Sequence, residues 1–363
     1  MIQHRMTTYE ETMLTDKRLV VTGGTGSIGY VLVRRLLSGE LGVPREIIVF
    51  SRDEAKQNSM RLALDHRKVA TDDIVYEQRE RVRFHIGDIT DYHAVCRVLR
   101  NADVVFNAAA MKQVPTCEYF PYEAVKTNVG GPENIVRAIR EHGYPVQTVV
   151  AISTDKACKP VNVMGMTKAL QERVAIQANL DCPGTRFVVT RYGNVLASRG
   201  SVIPLFHEQI RHGGPVTITT PHMTRFLMSL DQAVDTIFAA LRLGNSGETF
   251  IPIVPAARID DVASALIGNR AIEKVILGSR PGEKINEILV SEEESPRTVR
   301  RGGYLVILPG LPQLRQTIKD PSFPQREYTS ADDVMNLDQV TELLRNHHLL
   351  IEDEPQFAHA FAR

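Results

Sequence analysis

The chain has 363 residues, 43 % of them hydrophobic, and its 43 basic side chains are matched by 43 acidic ones. That length accommodates one large or two modest domains with an ample core, and the charge balance excludes a bulk field favouring nucleic acid or an anionic membrane surface. Cys96, Cys117, Cys158 and Cys182 are widely spaced with no CxxC pair, which reads as structural, reduced thiols. The charged first fifteen residues lack an apolar run and no membrane-length apolar stretch follows, so a soluble, cytoplasmic protein with no membrane span and no metal site is expected.

After a polar leader over residues 1–15, RLVVTGG reads as a buried strand, GSIGYVLVRRLLS as a helix and EIIVFS as the next strand. The rhythm continues through helix DEAKQNSMRLALDH, strand RVRFHI, helix DYHAVCRVLR, strand DVVFNAAA, helix EAVKTNVGGPENIVRAIREHG, strand TVVAIS, helix NVMGMTKALQERVAIQ and strand RFVVTRYG. Such alternation predicts an α/β, Rossmann-type, doubly wound parallel sheet over residues 16–193. Beyond it, shorter elements such as IPLFHEQIR, VTITTP, LDQAVDTIFAALR, TFIPIV and RIDDVASALIG assign residues 194–330 to a smaller C-terminal α/β lobe, with a stretch near 228–257 able to return to the first domain. Residues 331–363 form a polar tail with a helix near LDQVTELLRNHH.

In TGGTGSIG, Gly23, Gly26 and Gly29 follow a strand and open a helix. Gly23 suits a tight turn, Gly26 lets backbone approach a pyrophosphate, and Gly29 allows close helix packing at an N-terminus that presents amide donors. The second strand ends in FSRDE: Ser51 and Arg52 suit the 2′-phosphate of NADP, while Asp53 keeps NAD open. Asp88 and Ile89 at the end of the third strand are placed to flank an adenine, although a plain turn would look similar.

Met164 and Lys168 lie four apart on one helix face, and a methionine stands where a proton-transferring tyrosine is expected. The fifth strand ends in STDKA, which puts a hydroxyl, a carboxylate and an amine at the carboxyl edge of the sheet. The ordered set TGGTGSIG, FSRDE, STDKA, NVMGMTK, RYGNVLASRGSVIP, MTRF and RPGEK, over about residues 16–300, resembles the extended short-chain dehydrogenase/reductases that are UDP-N-acetylglucosamine 4,6-dehydratases of polysaccharide and glycan biosynthesis. Members carry tyrosine or methionine before the lysine, so the resemblance makes Met164 a subgroup mark.

The resemblance implies a lyase that recycles its nicotinamide cofactor and acts on UDP-N-acetylglucosamine or a close UDP-sugar. Hydride leaves C4, Lys156 takes the C5 proton, Asp155 supplies the acid that releases the C6 hydroxyl, Thr154 bonds the C4 oxygen, and Lys168 holds the nicotinamide ribose. The base for the C4 hydroxyl stays open between Asp155 and Thr154 acting through water. Ser27, Ile28, Ala108, Ala109 and Tyr192 complete the implied cofactor site. Lys112, Asn194, Arg199, Val202, Arg225, Arg280 and Glu283 form the expected substrate site, with Arg225 and Arg280 on the diphosphate and Glu283 on the ribose. Asn107, where many relatives have histidine, has no assigned role. The family also implies a homo-oligomer. Alternatives are a dehydratase that also epimerises C5 or C3 and, from another class, a cofactor-binding regulator without catalysis; a 4-epimerase fits poorly because it would retain the tyrosine.

Overall fold

The computed structural model describes residues 12–64, 81–196, 198, 200–279, 281–317 and 319–353. The start of the leader, the expected helix end at Asp65 and His66, Arg199, Arg280 and the end of the tail lie outside the described residues.

Six parallel strands follow the expected alternation: β1 (Arg18–Thr22), β2 (Glu46–Ser51), β3 (Val82–Ile86), β4 (Val104–Asn107), β5 (Thr148–Thr154) and β6 (Arg186–Tyr192). Then come β7 (Asn194–Val195), β8 (Val216–Ile218), β9 (Thr224–Met228), β10 (Thr249–Pro252), β11 (Ala256–Arg258), β12 (Lys274–Ile276), β13 (Ile288–Val290), β14 (Thr298–Arg301), β15 (Tyr304–Ile307) and β16 (Tyr328–Thr329). Nine of them form the main sheet in the order β14-β15-β10-β6-β5-β4-β1-β2-β3. The chain order reverses between β1 and β4, the crevice where doubly wound sheets bind ligands. Within β5 six of the seven residues are buried, because helices cover both faces and remove the polar alternation of a half-exposed strand.

Helices Ser27–Leu37 and Leu230–Leu243 pack on one face through Leu32, Val33, Val234 and Ile237. Helices Tyr92–Leu99, Gly131–His142 and Val163–Asp181 cover the other through Val95, Ile135, Ile139 and Ala178. A third core, with Phe206, Ile218, Leu227 and Leu266, joins helices Val202–Arg211, Ile259–Ile267 and Leu337–Asn346.

Three features depart from the sequence reading. The sheet does not stop at residue 193: β10 extends it in parallel, inside the segment expected to return, and β15 and β14 add an antiparallel hairpin. The hairpin turns at Gly302 and Gly303 in TVRRGGYLVI, a glycine pair that suits a two-residue turn, although only the second strand is an apolar run. The single helix expected over 123–143 is divided into Pro121–Val125, a π-helical turn Lys126–Gly130, and Gly131–His142. The wide turn directs the buried Asn128 inward, where its side chain bonds both the Met111 backbone groups and Thr167 Oγ1. Finally, Val114–Tyr119 is a short helix that carries no amphipathic period in the sequence.

Candidate active site

The glycine loop is built as a close approach of backbone to backbone. Gly23 has φ +64°, and a Cβ on it would lie 2.7 Å from the Ala109 nitrogen. A Cβ on Gly29 would lie 2.6 Å from the Gly23 oxygen, so the helix can rest on the turn only without a side chain there. Outward the loop is open: a Cβ on Gly26 would meet only the Gly23 oxygen, at 3.2 Å, and the helix Ser27–Leu37 starts with no side-chain cap. Uncapped amide donors at a helix start fit the pyrophosphate of a dinucleotide. Ala109 N donates to Thr22 Oγ1, whose hydroxyl in turn donates to Asn107, giving Asn107 a buried structural role. Ile28 is partly buried against the main core.

At the ends of β2 and β3, Arg52 has its side chain 69 % exposed and lies 3.4 Å from Asp88. Asp88 accepts from both the amide and the hydroxyl of Thr90; these bonds and Arg52 outweigh burial and lower its pKa. Ser51 Oγ accepts from Gln57. Ile89 differs from the adenine-flanking expectation: it is 4 % exposed and packed in the core, since a Cβ on Gly131 would lie 2.8 Å from its side chain.

The chemistry gathers at the end of β5, where the chain turns through Asp155–Ala157. The helix Val163–Asp181 is pressed on that turn: a Cβ on Gly165 would lie 2.3 Å from the Lys156 carbonyl oxygen. Asn162 caps this helix by accepting from the Gly165 amide, and its own amide group donates to the Gly282 carbonyl. Asp155 has no exposed surface. Its Oδ1 accepts from Thr154 Oγ1 at 2.9 Å and Lys156 Nζ at 3.1 Å, while its buried Oδ2, 3.4 Å from where a Gly193 Cβ would stand, has no partner. Burial raises the Asp155 pKa against the pull of Lys156, and the negative charge of Glu287 adds to the rise. For Lys156 burial acts downward, but Asp155 and Glu287 overcome it and the pKa is raised. The turn thus sets side by side a carboxyl and an amine that each hold a proton more tightly than usual.

Glu287 is the member that sequence reasoning missed. It is 2 % exposed, its Oε1 lies 3.2 Å from Lys156 Nζ and 3.7 Å from Arg225 Nε, and its Oε2 is buried without a partner. Burial works to raise its pKa, yet Lys156, Arg225 and Lys284 hold it below the ordinary value. The only sequence signal was proximity to RPGEK, four residues beyond Glu283.

Arg225 is held inside the protein. Expected on a diphosphate, it is 8 % exposed, donates to the carbonyls of Thr224 and Ile285, and serves as counter-charge to Glu287. Its position on the buried strand β9 turns the guanidinium inward.

Lys168, expected to hold the nicotinamide ribose, is enclosed by the helix and β5. Buried at 6 % exposure, its Nζ donates to the Ile152 carbonyl and to Gln171 Oε1, and burial lowers its pKa to about 7 against the opposing Glu172. Met164 is 5 % exposed, packed among Met111, Cys117 and Ala124. Tyr192, paired in register with Thr154, is buried, which raises its pKa. Among the implied substrate residues, Lys112 is exposed, Val202 opens the helix Val202–Arg211, and Asn194 and Glu283 each aim a buried, unpartnered oxygen (Oδ1 and Oε2). Buried oxygens without partners cost free energy and are satisfied by a ligand's donors.

Behind the turn, Arg191 lies between two carboxylates, with Nη2 2.6 Å from Glu172 and Nη1 2.7 Å from Glu294. Ser153 donates to Glu172, so this buried network abuts β5 directly. All four cysteines are free, and burial pushes the Cys158 thiol up to about 12. Among the described residues no helix is long and apolar enough to cross a membrane, and no group of three or more His, Cys, Asp and Glu is placed to hold a metal ion.

The model of the Polysaccharide biosynthesis protein family matches residues 19–309. A Rickettsia typhi protein named UDP-glucose 4-epimerase is 46 % identical over 298 residues, which are 80 % of this chain and 83 % of that one. The X-ray structure of Pen from Bacillus thuringiensis is similar with a TM-score of 0.84 and 32 % identity, covering 93 % of this chain and 100 % of that chain. DesIV, a dTDP-glucose 4,6-dehydratase from Streptomyces venezuelae solved with NAD and TYD, shares the fold at a TM-score of 0.61 and 24 % identity, over 74 % of this chain and 86 % of that one. On the family match and the identity to its relatives, with the Rossmann-type sheet beneath both, this chain belongs to the Polysaccharide biosynthesis protein family.

Proposed function

We propose that the protein is an NADP-dependent nucleotide-sugar 4,6-dehydratase that converts UDP-N-acetylglucosamine to a UDP-4-keto-6-deoxyhexosamine. The observation that carries this reading is the Thr154–Asp155–Lys156 turn, a buried carboxyl and an amine 3.1 Å apart at the sheet's carboxyl edge, with methionine on the facing helix. A dinucleotide held at Gly23, Gly26 and the start of helix Ser27–Leu37 would supply the acceptor for the C4 hydride and its later donor to C6. Thr154 Oγ1 is the hydroxyl for the C4 oxygen, and the C4 ketone makes the C5 proton acidic enough for Lys156 Nζ. Asp155 supplies the proton that leaves with the C6 hydroxyl. Because Asp155 has no exposed surface, that proton passes through Thr154 or Lys156, both bonded to its Oδ1.

A second reading, inversion at C4 of a UDP-sugar, is favoured by the name of the Rickettsia relatives. It leaves the Asp155–Lys156 pair without work, since C4 inversion needs no acid or base at C5 and C6. Purified protein incubated with UDP-N-acetylglucosamine in heavy water, followed by proton NMR, separates the two. A 6-methyl group with deuterium at C5 supports dehydration; an inverted C4 with C6 intact establishes epimerisation instead. An epimerised C5 or C3 alongside the methyl group would reveal the bifunctional form, and an unchanged sugar would leave a cofactor-binding regulator. Cofactor choice rests on Arg52: Arg52→Ala should weaken NADP at least tenfold more than NAD in calorimetry, and equal losses would assign the site to NAD.

A further inference from the structure

Lys156 is held from two sides. Asp155 Oδ1 is 3.1 Å from its Nζ on one side and Glu287 Oε1 is 3.2 Å away on the other, although the two carboxylates are far apart in the chain. Glu287 is itself clamped: its amide donates to Ser330 Oγ, and the Ser330 amide donates back to the Glu287 carbonyl. Arg225 from β9 and Lys284 from the preceding loop are the other charged groups that face it. A carboxylate buried this deeply costs free energy unless its charge is used, and Arg225, tied to two backbone carbonyls, balances only part of it.

We propose that Glu287 is a positioning residue that holds the Lys156 amine against Asp155 and, as a fixed negative charge, sets the pH window in which that pair exchanges a proton. The exchange is internal: an Nζ–H bond of Lys156 breaks as an O–H bond of Asp155 forms, which produces a free amine for the C5 proton and a neutral acid for the leaving hydroxyl in one transfer. A negative charge beside both groups makes each hold its proton more tightly, in keeping with the raised values of Asp155 and Lys156. This inference rests on the dehydratase reading for its chemistry, but the charge placement is independent of the substrate.

The test is Glu287→Gln, which keeps the shape and removes the charge, with Glu287→Asp as the variant that retains it on a shorter arm. The pH profile of kcat/KM is measured with UDP-N-acetylglucosamine, and the Lys156 midpoint is followed by NMR of lysines labelled at Cε, assigned by its loss in Lys156→Arg. Both limbs of the profile belong to the coupled pair, so loss of the negative charge moves both to lower pH, by ~1 to 2 units in the Gln variant and less in the Asp variant. The Lys156 midpoint moves the same way. A slower enzyme with unmoved limbs and an unmoved midpoint would make Glu287 merely structural and overturn the proposal. If the Gln variant does not fold, unmoved limbs in the Asp variant overturn it equally. Should the wild-type protein make no 4-keto sugar, the functional reading falls, while the lysine midpoint still decides for or against Glu287.

Discussion

A lysine amine acts as a base only after it sheds its proton, and two carboxylates keep the Lys156 proton in place. Lys156 and Asp155 therefore have separable duties. Lys156→Ala should permit some hydride transfer but no exchange of the C5 proton with solvent, whereas in Asp155→Asn, where the amine is no longer raised by the Asp155 charge and sheds its proton to solvent instead, C5 exchange should persist and water loss fail. Each should cost about a hundredfold to ten-thousandfold in turnover, read by single-turnover absorbance of the reduced nicotinamide and by deuterium at C5; normal dehydration by Lys156→Ala would remove the assignment. Lys168 carries the opposite electrostatics, since burial lowers it to about 7. Above about pH 10.4 the amine is neutral in both folded and unfolded chains. Between there and about 7 the unfolded chain binds a proton that the folded chain does not, so stability falls as the pH drops through this window and levels off below it. Relative to wild type, Lys168→Met should thus gain melting temperature as the pH is lowered from 10 to 7. A difference that stays constant would mean that the amine is charged throughout. Of these residues Thr154, Asp155 and Lys156 were legible in the sequence because they are contiguous at a strand end; Glu287 was not, because nothing local marks a residue whose partner is supplied by another part of the fold.

At the scale of elements, contiguous periodicity was read well and pairing between distant segments was not. Strands β1 to β6 and the helices between them carry their own apolar patterns and glycine or polar caps, such as Asp91, which accepts from the His93 and Ala94 amides. The π-helical turn at Lys126–Gly130 has no such signature, since it answers a tertiary demand of Asn128 for Met111 and Thr167. The two-residue strand β16 is likewise invisible locally, yet it matters because it pairs with β13 and carries Ser330 to Glu287. Ser330 Oγ also lies 2.7 Å from Thr224 Oγ1, and the residue has no exposed surface. Ser330→Ala should leave the Glu287 amide buried without an acceptor and cost ~1–3 kcal/mol, measured as a lower urea midpoint at unchanged slope. A midpoint equal to that of wild type would mean that another acceptor replaces the hydroxyl.

For the whole molecule, an exposed apolar band remains outside the helices that border the site. Tyr119 is 82 % exposed, Tyr122 71 % and Leu170 52 %, with Phe120, Val125 and Met166 also open. The homo-oligomer implied by the sequence resemblance would bury this band, which is larger in character than the scattered apolar residues of a monomer's surface. Mass photometry of the wild type should show a dimer or higher assembly, and a Tyr122→Lys, Leu170→Lys double variant should fall to monomer; a monomeric wild type would refute it. What the sequence by itself determined was the alternating α/β order, the glycine turn under the first helix and the hydroxyl, carboxyl and amine at one strand end, because each depends on neighbours within a few residues. Only the tertiary structure decided which of those groups are buried, that Arg225 faces Glu287, that Arg191 links Glu172 to Glu294, and that β15 and β14 complete the sheet. These follow from non-local packing: an ion pair or a sheet edge joins segments far apart in the chain, and its energy depends on a burial that no stretch of sequence contains.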